Sequence, residues 1–394
     1  MRARGWLVIV LGLIAARAGA ASPPAVAALQ AGRFDDAARE AAAAIARNAN
    51  DAPAHLVAAL TRYKAAAHQL NLDVRGLAAG LDSRAVNLQY LRFSLGQFEK
   101  ALLDTDAELA AAARDPKVSL ELCLACWRID WNGDGRIRSG DELLFQIEQD
   151  AAGQPLPDGD PRRKPTFRFD VGDIYWARAM LAFQHALVSA VLAYHWSDLD
   201  PWLARDEPKT KLLVIHLDDK SRIALARTRL LDGLAHADRA RKEYLAETDD
   251  DREWVPNPRQ KNHPMPLPVD ENLYRTWEAV IGDVRRLVAS QEGIALAELT
   301  RLADTDGPPP RGFLDLGKLL SDPKDLSFHV GDTKRVFDNP GQNAEAAART
   351  LFGSVYVMNL KPSPLLQRLE RMKKEMSRGE ETLERKLRYF LWLN

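Results

Sequence analysis

Between residues 130 and 144 the chain reads DWNGDGRIRSGDELL, with Asp130, Asn132 and Asp134 at alternate positions, Gly135 next, and Asp141 further on. Carboxylate and amide oxygens on every second residue converge when the backbone turns tightly, and converging oxygens suit a hard divalent cation. Calcium takes six to eight oxygens at about 2.3 to 2.6 Å, and a twelve-residue loop supplies them from positions one, three, five, seven, nine and twelve. Counted from Asp130, the side chains of Asp130, Asn132 and Asp134 fill the first three places. Gly135 takes the sharp turn, Arg136 offers its carbonyl, Ile137 points an apolar side chain inward, and Asp141 closes the set. The bland alternative is a polar turn built on Asn-Gly and Asp-Gly.

This order of ligands, glycine and isoleucine resembles an EF-hand loop. The resemblance implies a helix on each side, VSLELCLACWRI before and ELLFQIEQD after. Two features depart from the family. Asp141 stands where a longer, bidentate Glu is usual, and Arg136 and Arg138 offset the carboxylates, leaving a formal loop charge of about −1. Both predict weak binding, about 10⁻⁴ to 10⁻³ M, with magnesium as the alternative ion. EF-hands usually pair, yet DTDG at 304 to 307 runs into Pro308, Pro309 and Pro310, and DGD at 158 to 160 runs into Pro161. An unpaired loop is expected to act as a structural clip.

Other reactive residues have plainer explanations. Cys123 and Cys126 form a C-x-x-C inside an expected helix, with Trp127 where haem attachment needs His; buried thiols or an inert disulfide are expected. GFLDLGKL at 312 to 319 has phosphate-loop spacing but Leu319 in place of Ser or Thr, and no strand before it. His185 and His195 share one helical stretch but are turned about 80° apart, so they make no ligand pair. FDVGD at 169 to 173 and FHVGD at 328 to 332 read as two helix entries capped by Asp173 and Asp332. Trp254, beside a proline-rich stretch, either anchors that loop or marks a partner groove. No sequence motif with known catalytic mechanics is present.

The elements that carry these residues are helical. Apolar residues recur at three and four from Ala25 to His68, and little of the chain alternates with period two. ALQAGRFDDAAREAAAAIARNANDAPAHLVAALTRY resembles a tetratricopeptide unit, with a turn at Gly32-Arg33-Phe34, Ala37 and Ala38, and Pro53 opening the next helix. LGQFEKALLDTDAEL at 95 to 109 echoes it. Further helices are expected over Ile174–Trp196, buried and capped by Asp173, over about Lys220–Ala246 and Glu271–Leu302, and from Pro364 onward. Proline-rich connectors fall at 151–168 and 256–268. The expected fold is all-α: helical hairpins, one EF-hand-like helix-loop-helix, a helical-repeat region at 21–150 and a second helical domain at 151–394.

Composition bounds the function. A length of 394 residues predicts roughly two or three globular units, and 46% hydrophobic with 28% charged residues excludes bulk disorder. Arg2 and Arg4, an apolar run from Trp6 to Ala16, and Ala18-Gly19-Ala20 form the pattern of a cleaved signal peptide over 1–20. That run is too short for a roughly 30 Å hydrocarbon core, so no stable membrane insertion is expected after cleavage. Loss of Arg2, Arg4 and Arg17 leaves 51 basic against 55 acidic residues, a net charge of −4 that offers no footprint for nucleic acid. The expectation is a periplasmic or secreted calcium-binding helical protein that binds a peptide or protein partner without catalysis. The alternative is a periplasmic, hydrolase-like enzyme with its site between the helical halves.

Overall fold

The computed structural model describes residues 23–83, 88–129, 136, 146–150, 154–199, 212–250, 252–261, 263, 269–298, 311–329 and 354–376. The signal-like stretch 1–20 and four of the five candidate calcium ligands, Asp130, Asn132, Asp134 and Asp141, lie outside the described residues, as does Asp332. The fold is predominantly helical. Helices α1 (Pro24–Gln30), α2 (Phe34–Arg47), α3 (Ala52–Ser83) and α4 (Leu88–Ala112) follow one another and pack in sequence. Gly32 ends α1 with φ +71°, a left-handed position in which its N–H and that of Arg33 bond back to the Leu29 and Ala28 carbonyls. Asp51 accepts from the Ala54 N–H at the start of α3, and Pro53 sits in that first turn, where its missing donor costs nothing. Ala37 and Ala41 are wholly buried, so the small faces of α2 let neighbouring helices approach closely.

The helix expected before residue 130 is not there. Residues Leu120–Leu122 form β1, which pairs antiparallel with β2 (Phe167–Phe169), Leu120 opposite Phe169 and Leu122 opposite Phe167. Leu120 and Leu122 are buried and Glu121 is exposed, a period-two alternation too short to stand out against helical surroundings. A 3₁₀ turn, Leu124–Cys126, follows, and a Cys123–Cys126 disulfide closes it, with Cys126 exposed. Ile129 and Ile147, on either side of the loop, are buried in the same core.

Helix α5 (Val171–Leu192) begins earlier and ends sooner than its pattern predicts. Its N-cap is Asp170, with Asp173 inside the first turn. Trp196 instead opens a 3₁₀ turn, Trp196–Leu199. Helix α6 (Lys220–Ala246), capped by Asp219, spans the range its periodicity predicts. It lies antiparallel to α5: Gly172 meets Tyr244 near one end, Gly233 meets Phe183 in the middle, and the Asp218 N–H reaches the Ala193 carbonyl at the other.

Helix α7 (Glu271–Val288) stops well before Leu302, because Ser290 takes φ +56° and the chain turns into β4 (Glu292–Ala295). Strand β3 (Leu212–Ile215) pairs antiparallel with β6 (Leu326–His329). Strands β5 (Phe313–Leu314), β7 (Val357–Met358) and β8 (Lys361–Pro362) join β4 in a sheet of order β7-β5-β4-β8. The phosphate-loop-like segment is therefore β5 running into a short helix, α8 (Leu316–Ser321), capped by Asp315. Helix α9 (Leu365–Met376) opens after Pro364 as predicted. No described helix is long and apolar enough to cross a membrane.

A Cβ on Gly233 would clash with the Phe183 ring, so the α5–α6 contact needs a residue without a side chain there. Gly233→Ala is expected to lower stability by about 1 to 3 kcal/mol through overpacking, seen as a lower urea midpoint with unchanged slope. An unchanged midpoint would mean that the ring moves aside freely.

Candidate functional site

The antiparallel α5–α6 pair brings the first turn of α5 against the last turn of α6, and acidic side chains accumulate at that junction. Asp170 caps α5 by accepting from the Gly172 N–H at 2.8 Å, and Asp173 reaches back to accept from the Asp170 N–H at 2.9 Å. This reciprocal capping satisfies donors that the helix start leaves open. Gly172 is required as well: a Cβ there would come within 2.7 Å of the Tyr244 ring. That ring lies over the turn, and its hydroxyl donates to the other Asp173 oxygen at 2.8 Å.

Glu247 is the C-cap of α6, where a negative charge opposes the helix dipole. From it the chain continues as a strap, residues 247–261, wrapped back over the helix end. The strap is held by side chains that satisfy the last carbonyls of α6. The Asn257 amide donates to Tyr244 O at 2.9 Å and Glu247 O at 3.2 Å, and Arg259 donates to Leu245 O at 2.6 Å. Gln260 donates to Glu247 and to the Asp249 carbonyl, and the Tyr274 hydroxyl of α7 donates to the Pro256 carbonyl. Trp254 is completely buried against Phe169, so it anchors the strap.

The strap delivers Glu253 into the same junction. One oxygen each from Asp170, Glu247 and Glu253 lies within 4.8 Å of the others. Glu253 is only 2% exposed, and Glu253 Oε1 and Glu247 Oε1 have no hydrogen-bond partner. The cation beside them is Arg168, with Nη1 3.8 Å from Glu253 Oε1 and 3.2 Å from Asp249 Oδ1. Desolvation and mutual repulsion raise these acids above the ordinary carboxylate range. Burial, then the charge of Asp170, pushes Glu253 up to about 8 and Glu247 up to about 10. Burial likewise raises Asp170, Asp173 and the Tyr244 hydroxyl. Such a cluster either keeps protons or surrenders them to a cation; both relieve buried negative charge.

Of the residues that the sequence marks as calcium ligands, only Arg136 is described, and it is exposed. The acidic junction is a separate place that no loop pattern signals. Its one local trace is the run Asp249-Asp250-Asp251-Arg252-Glu253 directly after a helix. The histidines make no ligand pair, but not by the predicted rotation on one helix: His185 is buried in α5, whereas His195 lies beyond the end of that helix and pairs with Asp218 at 3.0 Å. Comparison with family models, curated proteins and solved structures yields no match.

Because Glu253 and Glu247 bind protons in the folded state well above the ordinary 4.5, folding takes up protons between that pH and about 8. Unfolding is therefore favoured as pH rises through this window. In chelator, the thermal midpoint should fall from pH 5 to pH 8, and Glu253→Gln should flatten the decline. A profile equally steep in the variant would assign the protons elsewhere.

Proposed function

We propose that this chain is an exported, calcium-binding helical protein that uses calcium as a structural clip and acts by binding a peptide or protein rather than by catalysis. The observation that carries this reading is the order of oxygen donors at Asp130, Asn132, Asp134, the Arg136 carbonyl and Asp141 around Gly135. The donors belong to the loop itself, so a strand and a 3₁₀ turn in place of an entering helix do not remove them. The Cys123–Cys126 disulfide supports an oxidising compartment outside the cytoplasm, where calcium is abundant enough for a weak site. Ile129 and Ile147 anchor both ends of the loop in the core, so an ion there would tie two buried segments together.

A hydrolase-like enzyme is the second reading, favoured by one polar pocket. His185 and His236 line it between α4, α5 and α6 with Asp106, Arg229 and Asp232. Burial, then a nearby arginine, lowers both histidines and keeps them neutral, as a general base must be. Against catalysis, the charged groups around it are engaged with one another: Arg178 with Asp106, Arg222 with Glu99, and Arg229 with Asp232.

Calorimetric titration of the mature chain with calcium and magnesium tests the first reading. Calcium is expected to bind near 10⁻⁴ to 10⁻³ M and to raise the thermal midpoint without large rearrangement, and Asp130→Ala should remove the heat of that site. Identical melting curves in calcium and in chelator would count against the clip. Hydrolysis of generic ester or peptide substrates, abolished by His185→Gln in a folded chain, would favour the second reading.

A further inference from the structure

We propose that Asp170, Glu247 and Glu253 form a second divalent-cation site, able to hold calcium, that clamps the 247–261 strap onto the start of α5 independently of the 130–141 loop. Two stretches distant in sequence meet here: the N-cap of α5 contributes Asp170, and the end of α6 with the strap that follows contributes Glu247 and Glu253. All three oxygens lie within 4.8 Å of one another, close enough to share one calcium with each about 2.3 to 2.6 Å from it. The donors are all hard carboxylate oxygens, with no imidazole or thiolate to favour zinc or copper.

The second observation is the open hydrogen bonding of a buried acid. Glu253 is only 2% exposed, yet its Oε1 accepts no hydrogen bond and has only Arg168 Nη1 at 3.8 Å; Oε1 of the half-buried Glu247 accepts none either. Asp173 is already satisfied by the Asp170 N–H and the Tyr244 hydroxyl, which leaves the other three to meet an ion. Arg168 is shared with Asp249 and cannot balance the group.

The full mature chain, stripped with chelator, is titrated with calcium chloride as wild type, Asp130→Ala, Glu253→Gln and the double variant, with circular dichroism confirming helicity. Expected are a calcium site that survives Asp130→Ala and is lost in Glu253→Gln, with all calcium heat absent from the double variant. Glu247→Gln, which keeps the side-chain shape, should weaken the site at least tenfold and serves if Glu253→Gln fails to fold. Calcium heat in either glutamine variant equal to that of the wild type would overturn the proposal, as would the absence of any calcium heat from Asp130→Ala. If Asp130→Ala loses nothing while Glu253→Gln loses all binding, the junction site stands and the loop reading falls.

Discussion

Burying several carboxylates at one helix junction is the constraint on which the rest of this structure depends. Asp170 and Asp173 are placed there by the needs of the α5 N-terminus, whose open N–H groups require acceptors. Once there, they are buried with the Tyr244 ring over the turn, and Glu247 and Glu253 join them. An ionised carboxylate in such surroundings is unfavourable unless it is paired, protonated or bound to a metal. The hydrogen bond from Tyr244 to Asp173 therefore does two things at once, stabilising the cap and setting the register of α6 against α5.

That register extends along both helices. Gly172 and Gly233 remove side chains where Tyr244 and Phe183 cross, so the aromatic rings occupy the space a Cβ would fill. The strap then closes the end of the pair. Its polar side chains, Asn257, Arg259 and Gln260, serve the final carbonyls of α6, and Trp254 and Tyr274 couple it to the main core. A proline-rich segment with little regular structure is thus ordered by satisfying a helix terminus. The acidic junction is positioned by packing on every side, which suits a structural role better than a cleft open to substrate.

Much of the helical framework is legible in the chain itself. Apolar spacing marks α1 to α3 and α6, Gly32 marks the end of α1, and Pro364 marks the entry to α9. The errors have a common origin. The strands are two to four residues long, too short for alternation to show, so Leu120–Leu122 and Glu292–Ala295 read as parts of helices. Asp173 reads as the cap of α5 because an apolar run follows it, but Val171 and Gly172 already belong to the helix and Asp170 takes that place. Trp254 beside prolines allows either an anchor or a groove, and its complete burial decides for the anchor.

What the sequence by itself determined is local: helix periodicity, caps and turns, and an ordered set of oxygen donors in one short loop, each depending on neighbours a few residues away. Only the tertiary structure decided that Asp170, Glu247 and Glu253 share one buried point, that Cys123 and Cys126 are joined, and that His195 lies apart from His185. Asp170 stands far in sequence from Glu247 and Glu253, and those two are separated by a helix end and a turn that no helical spacing predicts. Their meeting follows from the antiparallel packing of two helices and the fold-back of a strap, and the charges that shift their protonation exist as neighbours only once that packing has removed the water between them.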